Sequence, residues 1–212
     1  NLVGVPGNHE LDEGLEELQR MVHGGNHATG PFLQDPYRGA AFPYLCANLV
    51  RTATGEPLFP PAVVRRVDGV AVAFIGAILR QAWQFLTPEQ LRGLRVQDEA
   101  EAINHQVRRL RAQGVHAFVV IMHQGGWQHA EPKADGTPPL VGDIAGVVSR
   151  LDGEVDVVLA GHTHTFHNVL VDNGGGRKTL VAQAWPWGTG FADIDLEIDR
   201  TNGEVVSLAS RI

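Results

Sequence analysis

The chain has 212 residues, and 43% of them are hydrophobic, which is enough to form one domain with a sizeable core. Its formal net charge is -7 and it has no run of lysines or arginines, which argues against a protein built to bind the phosphate backbone of nucleic acid. A single cysteine, Cys46, excludes an internal disulfide framework and a cysteine-based zinc site, and no apolar run approaches the roughly 18 residues of a membrane span.

The amino-terminal segment combines an apolar run with a polar turn. Residues 2–5 predict a short buried strand, which ends at Pro6 and Gly7. An amide, an imidazole and carboxylates follow, on Asn8, His9, Glu10 and Asp12. These residues indicate either a functional site, because asparagine and histidine bind metal ions, or an N-capped turn that begins a helix. Since the chain starts with Asn1 instead of methionine and shows no signal peptide, we expect a processed product, a fragment or a chain with missing upstream residues.

The central part of the chain predicts helices and a hairpin. Helices are expected over residues 12–22 and 98–111, which carry apolar residues at helical spacing. An Asp-Gly turn joins two apolar runs, 62–67 and 70–76, in a predicted hairpin. A short buried strand is predicted over 43–49. The loop between the first helix and this strand contains His23 and His27, which we expect to be solvated.

The second half of the chain predicts more strands than helices. A strand over 115–122 ends at His123, and a strand over 155–160 ends just before His162 and His164. One helix, over 142–151, separates them. The rest of the chain predicts four strands, at 168–171, 179–184, 192–198 and 205–209. Alternating strands and helices predict the α/β class, in which helices cover the faces of a layered sheet.

Three of these predicted strands end in turns that contain histidine. Ligands of open α/β sheets bind beyond the carboxyl ends of the strands, so we expect the turns at Asn8-His9, His123 and His162-Thr163-His164 to converge. Taken alone, His123 could equally be a histidine of the core, and His162 and His164 could equally be histidines of a loop. An amide with three imidazoles suits Mn²⁺, Zn²⁺, Fe or Co better than Ca²⁺, and such sites activate water for hydrolysis.

Other polar residues are excluded from the predicted site. Asp156 lies at the opposite end of its strand, and His167 begins the strand that follows. Cys46 is expected within apolar surroundings, and the sequence contains neither a Gly-x-Ser-x-Gly motif nor a glycine-rich phosphate loop.

The ordered motifs resemble one family. Gly7-Asn8-His9-Glu10, Met122-His123-Gln124-Gly125-Gly126 and Gly161-His162-Thr163-His164 are similar to the later motifs of the calcineurin-like metallophosphoesterases. Residues 11–14, 42–49, 155–160 and 181–196 resemble the 5′-nucleotidase branch specifically. Each motif alone is weak, but their order and spacing over most of the chain make the resemblance strong.

The resemblance implies a two-metal hydrolase with a four-layer α/β/β/α sandwich. Asn8, His123 and His162 would bind one divalent metal ion, and His164 would bind the other. His9 would be the catalytic histidine that contacts the phosphoryl group, and Asp12 would orient its imidazole. Water activated by the metal ions would attack phosphorus.

The chain departs from the family pattern at its start. The first two family motifs, an Asp-x-His and a Gly-Asp, supply three further metal ligands upstream of Asn8 and are missing from the sequence. The C-terminal nucleotide-binding domain of the family is also missing. We therefore expect residues 1–212 to be a partial, N-terminally truncated catalytic domain that binds one metal ion weakly and can be inactive as a fragment.

Three functions compete at this point. The first is hydrolysis of a small phosphate ester, a nucleotide rather than nucleic acid, by a 5′-nucleotidase or related phosphoesterase. The second is a non-catalytic metal-binding or interaction module with the same scaffold, and the third is a single-zinc amide hydrolase, which leaves Asn8 without a role. The resemblance also implies export to the periplasm, the cell surface or the medium, whereas no oligomeric state follows from it. The alternatives for Trp127, Trp185 and Trp187 are that they line the substrate entrance or that they pack in the core or at the rim.

Overall fold

The computed structural model describes residues 2–129 and 140–212. Most of the predicted loop before Pro139 lies outside these ranges. Within them the helices are α1 (Gly14–His23), α2 (Glu99–Arg111) and α3 (Asp143–Val148). The strands are β1 (Leu49–Arg51), β2 (Ala62–Val67), β3 (Val70–Ile78), β4 (Leu94–Val96), β5 (Ala117–His123), β6 (Trp127–Gln128), β7 (Leu140–Val141), β8 (Val155–Ala160), β9 (Phe166–Asp172), β10 (Lys178–Ala184), β11 (Asp193–Ile198) and β12 (Val205–Arg211).

Six strands form the central sheet, in the order β2-β3-β5-β8-β10-β9. The four inner strands, β3, β5, β8 and β10, run parallel to one another, and the edge strands β2 and β9 are antiparallel to their neighbours. Parallel strands are buried on both faces, which explains why β3, β5 and β8 are nearly continuous runs of valine, isoleucine, leucine and alanine. The carboxyl ends of all four inner strands therefore lie along one edge of the sheet.

Helices cover one face of this sheet and a β-ribbon covers the other. The apolar stripe of α2 packs with Ile144 and Val148 of α3 against core residues of β3, β5 and β8. On the opposite face, Ile194, Leu196 and Leu208 of the antiparallel pair β11–β12 cover Val119 and Val157. The predicted α/β class is confirmed, and in the described residues the second sheet of the expected sandwich consists of this two-stranded ribbon. Helix α1 packs into a separate apolar cluster with Leu11, Leu49 and Ile78.

Most predicted elements occur close to their predicted bounds. The hairpin β2–β3 turns at Asp68-Gly69, where both residues have positive φ, as a tight Asp-Gly turn requires. Helix α2 begins after Asp98, whose carboxylate accepts a hydrogen bond from the Glu101 amide. None of the described helices is both long and apolar enough to cross a membrane.

The predicted strand over residues 2–5 is wrong. Gly4 makes only an isolated bridge to Tyr44, and Leu2 is exposed. The reason is that this segment pairs with an extended stretch instead of a sheet strand: the Gly4 amide donates to the Pro43 carbonyl, and Gly4 accepts from the Leu45 amide. The predicted strand over 43–49 is likewise reduced to buried extended chain leading into β1.

Asp156 is buried at the start of β8, far from the histidine turns. Its carboxylate accepts a hydrogen bond of 2.9 Å from the Phe118 amide, at the point where the register of β5 and β8 shifts. Burial raises the pKa of Asp156 to about 6, although the Phe118 amide and Arg177 oppose the increase and Glu154 adds to it. Asp156 therefore has a structural role in the sheet, in agreement with its exclusion from the predicted site.

The raised pKa makes a prediction about stability. A carboxyl whose pKa is higher in the folded state stabilises the fold at low pH and loses that contribution as the pH rises towards its folded pKa. We expect Asp156→Asn to raise the free energy of unfolding by about 1–3 kcal/mol at pH 7.5 and by clearly less at pH 4.5, measured by urea unfolding. Asn keeps an oxygen for the Phe118 amide. The control is Asp195→Asn, on the exposed face of β11, whose effect on the free energy of unfolding should be the same at the two pH values. Equal effects of Asp156→Asn at both pH values would contradict the prediction.

Candidate active site at the carboxyl edge of the sheet

The predicted site residues gather at the carboxyl edge of the parallel strands. His123 is the last residue of β5, and His162 and His164 follow the end of the neighbouring strand β8. Asn8 reaches the same place from the amino-terminal turn, and its Oδ1 lies 3.1 Å from Nε2 of His123. The rings of His123 and His162 are 5.2 Å apart between centroids. The structure thus brings together Asn8, His123 and His162, with His164 at the exposed side of the same turn.

The amino-terminal turn is held by hydrogen bonds within the chain. Residues His9–Leu11 form one turn of 3-10 helix, in which the Leu11 amide donates to the Asn8 carbonyl. The Gly7 amide donates to the Glu10 carboxylate at 2.5 Å, so Glu10 closes the turn. Asn8 is almost fully buried, whereas His9 points outward and is exposed. The turn therefore directs the amide inward and the imidazole of His9 towards solvent.

Glycines allow the turns to approach one another closely. A Cβ atom on Gly7 would lie 2.7 Å from Nε2 of His123, and a Cβ atom on Gly125 would lie 2.2 Å from Oγ1 of Thr163. Both distances are too short for a side chain at either position, so glycine is required by packing. This explains why the site motifs of the sequence contain glycine next to their polar residues.

A buried polar network holds the His162-Thr163-His164 turn to the loop that follows β5. Oγ1 of Thr163 accepts from the Gly126 amide at 3.2 Å and from Nε2 of Gln183 at 3.2 Å. Thr165 donates to the Gly126 carbonyl at 2.8 Å and contacts Nε2 of His167 at 3.2 Å. His162 and His164 both have positive φ, so this network keeps two non-glycine residues in a sparsely populated conformation.

The histidines are surrounded by one another and partly removed from water. Burial, with smaller contributions from His162, His9 and His164, lowers the pKa of His123 to about 4. Burial and the neighbouring His164 and His9 also lower the pKa of His162. Both imidazoles are consequently neutral at pH 7 and offer a free nitrogen lone pair, which is the form that binds a metal ion.

The residues present fit part of a divalent metal site. Two ligand atoms bound to one ion at about 2.1 Å lie about 3 Å apart when their bonds are perpendicular, which matches the separation of Asn8 Oδ1 and His123 Nε2. Among residues 2–129 and 140–212, no three His, Cys, Asp or Glu side chains come together in the manner of a metal site. The donor set is thus one amide and two imidazoles, with His164 beside them. These donors suit a transition metal ion better than Ca²⁺.

His9 and Asp12 form a separate pair at the surface of the turn. Nδ1 of His9 and Oδ2 of Asp12 are 2.8 Å apart. A carboxylate in this position fixes the tautomer of an imidazole and leaves Nε2 free to contact a substrate. The backbone carbonyl of Asp12 also accepts a hydrogen bond from Gln90, which anchors the pair to the segment after β3.

Several residues around the site carry no recognisable signal in the sequence. Thr163, Thr165 and Gln183 were not recognised as a network because their contacts join three separate strand ends. His167, which was excluded as a ligand, is fully buried beneath the turn, and burial lowers its pKa. Phe85, which follows β3, lies 5.1 Å from the ring of His162 between centroids. Only its place after a parallel strand could have indicated this contact.

Two other features do not compete with this site. Cys46 is fully buried, and burial raises its pKa to about 11, which makes its thiol a poor nucleophile. An open cavity of about 700 Å³ lies elsewhere, lined by Arg80, Arg95, Asp98 and His105 among others. Asp98 is already paired with Arg150 at 2.9 Å, so that cavity lacks the free neutral donors of the histidine edge.

Known proteins with similar sequences include an endonuclease, a cell wall protein and 5′-nucleotidases. The chain is 35% identical over 210 residues to Endonuclease YhcR of Bacillus subtilis, covering 99% of this chain and 16% of that protein. It is 33% identical over 214 residues to Cell wall protein Lmo0130 of Listeria monocytogenes, covering 97% of this chain and 27% of that protein. It is 26% identical over 214 residues to a 5′-nucleotidase of Vibrio cholerae, covering 94% of this chain and 35% of that protein. The chain therefore spans only part of each relative, and no protein-family profile matches it.

Solved structures show the same fold. A 5′-nucleotidase precursor from Thermus thermophilus superposes with a TM-score of 0.73 at 24% identity, over 98% of this chain and 38% of that one. The calcineurin-like phosphoesterase YfkN of Bacillus subtilis superposes with a TM-score of 0.71 at 21% identity, over 99% of this chain and 62% of that one. Sequence relatives and fold agree with the ordered Asn-His, His and His-x-His turns: the chain has the fold of the calcineurin-like phosphoesterases, and its sequence is similar to 5′-nucleotidases.

Proposed function

We propose that the protein containing this chain is a metal-dependent hydrolase of phosphate esters, with a nucleotide as its substrate. The observation that carries the proposal is the convergence of Asn8, His123 and His162 next to the His9–Asp12 pair, at the carboxyl edge of the sheet. Neutral metal donors beside an exposed, oriented imidazole are the parts that phosphoryl transfer to water requires. An interaction module would need neither the oriented His9 nor a set of neutral imidazoles.

Each side chain has a defined task in this proposal. Asn8, His123 and His162 would hold one divalent metal ion, and His164 would contribute to a second. When bound, such ions supply charge compensation and activate water. Asp12 keeps the proton of His9 on Nδ1, so Nε2 faces the phosphoryl group or donates a proton to the leaving oxygen when the imidazole is protonated. The amide and hydroxyl network around Thr163 keeps the imidazoles in place during the reaction.

The substrate proposal rests on charge and on the relatives. The net charge of -7 disfavours a long polyanion, whereas a single phosphate group is compensated by ions within the site. One relative is named a 5′-nucleotidase, but another is named an endonuclease, so nucleic acid is the rival substrate. Release of phosphate from a nucleoside monophosphate, with no cleavage of a single-stranded oligonucleotide, would support the proposal, and faster cleavage of the oligonucleotide would overturn it.

We further propose that residues 1–212 form part of one catalytic domain and that the protein is exported. The six-stranded sheet, which carries His123, His162 and His164 at one edge and meets the Asn8 turn there, supports the first proposal. A relative named as a cell wall protein supports the second.

The metal proposal predicts the effect of removing one donor. In the complete protein, His123→Ala should lower the affinity for Mn²⁺ or Zn²⁺ by at least about tenfold, because it removes the central imidazole of the set. The measurement is metal content by mass spectrometry after dialysis against buffers of fixed free metal. His105→Ala, which changes an exposed histidine on α2, is the matched control and should keep the metal content of the unmodified protein. Unchanged metal content in His123→Ala would contradict the assignment.

The catalytic proposal predicts a separation of rate from metal binding. His9→Ala should lower kcat by about 10²–10⁴-fold, because it removes the group that moves the proton. Asp12→Asn should lower kcat by about 10–100-fold, since Asn no longer fixes the His9 tautomer. Both variants should retain their metal.

The control for this second experiment is His23→Ala at the end of α1. It changes an exposed histidine outside the site and should leave phosphate release unaltered. A His9→Ala variant that hydrolyses a nucleoside monophosphate at the unmodified rate would show that His9 is not the catalytic group.

A further inference from the structure

A carboxylate is buried next to the residue that follows His123. Glu99, the first residue of α2, is only 2% exposed. Its Oε1 accepts a hydrogen bond of 2.7 Å from the Arg80 amide and one of 3.2 Å from Nε2 of Gln124. Both donors are uncharged amide groups. Because a glutamate is costly to bury unless its oxygens are bonded, these two hydrogen bonds and the positive end of the α2 dipole hold it in place.

Gln124 joins the two segments that carry the buried site histidines. It follows His123 directly, and its carbonyl accepts a hydrogen bond of 3.2 Å from the amide of Gly161, next to His162. Its side-chain oxygen accepts a hydrogen bond of 3.0 Å from the Gly125 amide. With both its backbone and its side chain bonded, Gln124 fixes the spacing between the two histidine segments.

The segment after β3 is bonded to the same group of residues. The Leu79 amide donates to the His123 carbonyl at 2.9 Å, and the next amide along the chain donates to Glu99. The side-chain oxygen of Gln81 then accepts from Nε2 of Gln124 at 3.1 Å. Glu99 therefore connects the start of α2 with the segments that follow β3 and β5.

We propose that Glu99 is a positioning residue for the metal site: through Gln124 it holds His123 and His162 at the separation that a bound ion requires. This inference rests on the proposed function, because it takes these histidines as metal donors. A glutamate buried for packing alone is replaceable by an apolar side chain of similar volume. A positioning role instead requires an oxygen that accepts from both donors.

Substitutions of Glu99 in the complete protein test the proposal. Glu99→Met keeps the volume but removes both hydrogen bonds, and it should lower the affinity for Mn²⁺ or Zn²⁺ by about tenfold. The measurement is metal content after dialysis against buffers of fixed free metal. Glu99→Gln keeps an oxygen for both donors and should stay within about threefold of the unmodified protein. The matched control is Glu101→Met, which removes an exposed carboxylate from the same turn of α2 and should keep the unmodified metal content.

An exchange of the two side chains tests their connection. Gln124→Glu alone places two carboxylates against each other in a buried position, so it should lower the metal affinity at least as far as Glu99→Met. The double variant with Glu99→Gln and Gln124→Glu again has one carboxylate and one amide at the contact, and it should recover most of the lost affinity. A double variant that binds metal no better than Gln124→Glu would overturn the proposal.

Hydrogen exchange in the metal-free protein separates this proposal from the proposed function. Glu99→Met should speed exchange at the Gly125 and Gly161 amides by about tenfold and leave the amides between β11 and β12 unchanged, because the lost hydrogen bonds are local. If the unmodified protein binds no metal but this local change occurs, the metal proposal fails and the positioning of the two histidine segments stands. Equal acceleration at all of these amides, or full metal affinity in Glu99→Met, would show that Glu99 serves only the stability of the fold.

Discussion

The positions of His123, His162 and His164 depend on the parallel alignment of β3, β5, β8 and β10. Because these strands point the same way, the segments after them meet along one edge and bring together side chains from distant parts of the sequence. Antiparallel edge strands, β2 and β9, end this arrangement on both sides. The amino-terminal turn then adds Asn8 to the same edge through its contact with His123.

Close packing at this edge has an electrostatic consequence. Glycines at positions 7 and 125 let the turns approach within distances that any side chain would block, and the approach removes water from His123. The loss of water keeps the imidazole neutral, so the same packing that shapes the site leaves His123 in the form that the proposed metal binding requires. His9 differs because it lies outside this packing, at the surface beside Asp12, where a substrate can reach it.

The sequence was sufficient for the fold class and for the identity of the converging turns. Apolar periodicity predicted α2, the β2–β3 hairpin and the buried strands, and the histidines at the strand ends indicated the site. The sequence was insufficient where a side chain acts through a tertiary contact. Residues 2–5 looked like a strand but bridge only to an extended segment, and the Thr163–Gln183 contact joins strand ends that have no local signal in common. The pKa values of His123 and Asp156 depend on burial, which the alternation of residues does not reveal.

The contact between Asn8 and His123 spans 115 residues of sequence. A ribosome that adds roughly 5–20 residues per second produces the asparagine on the order of ten seconds before its histidine partner emerges, and His162 later still. During that interval Asn8 lacks the two imidazoles that would share an ion with it, because His123 and His162 have not yet been synthesised. The proposed metal site can therefore form only after most of the chain has been synthesised.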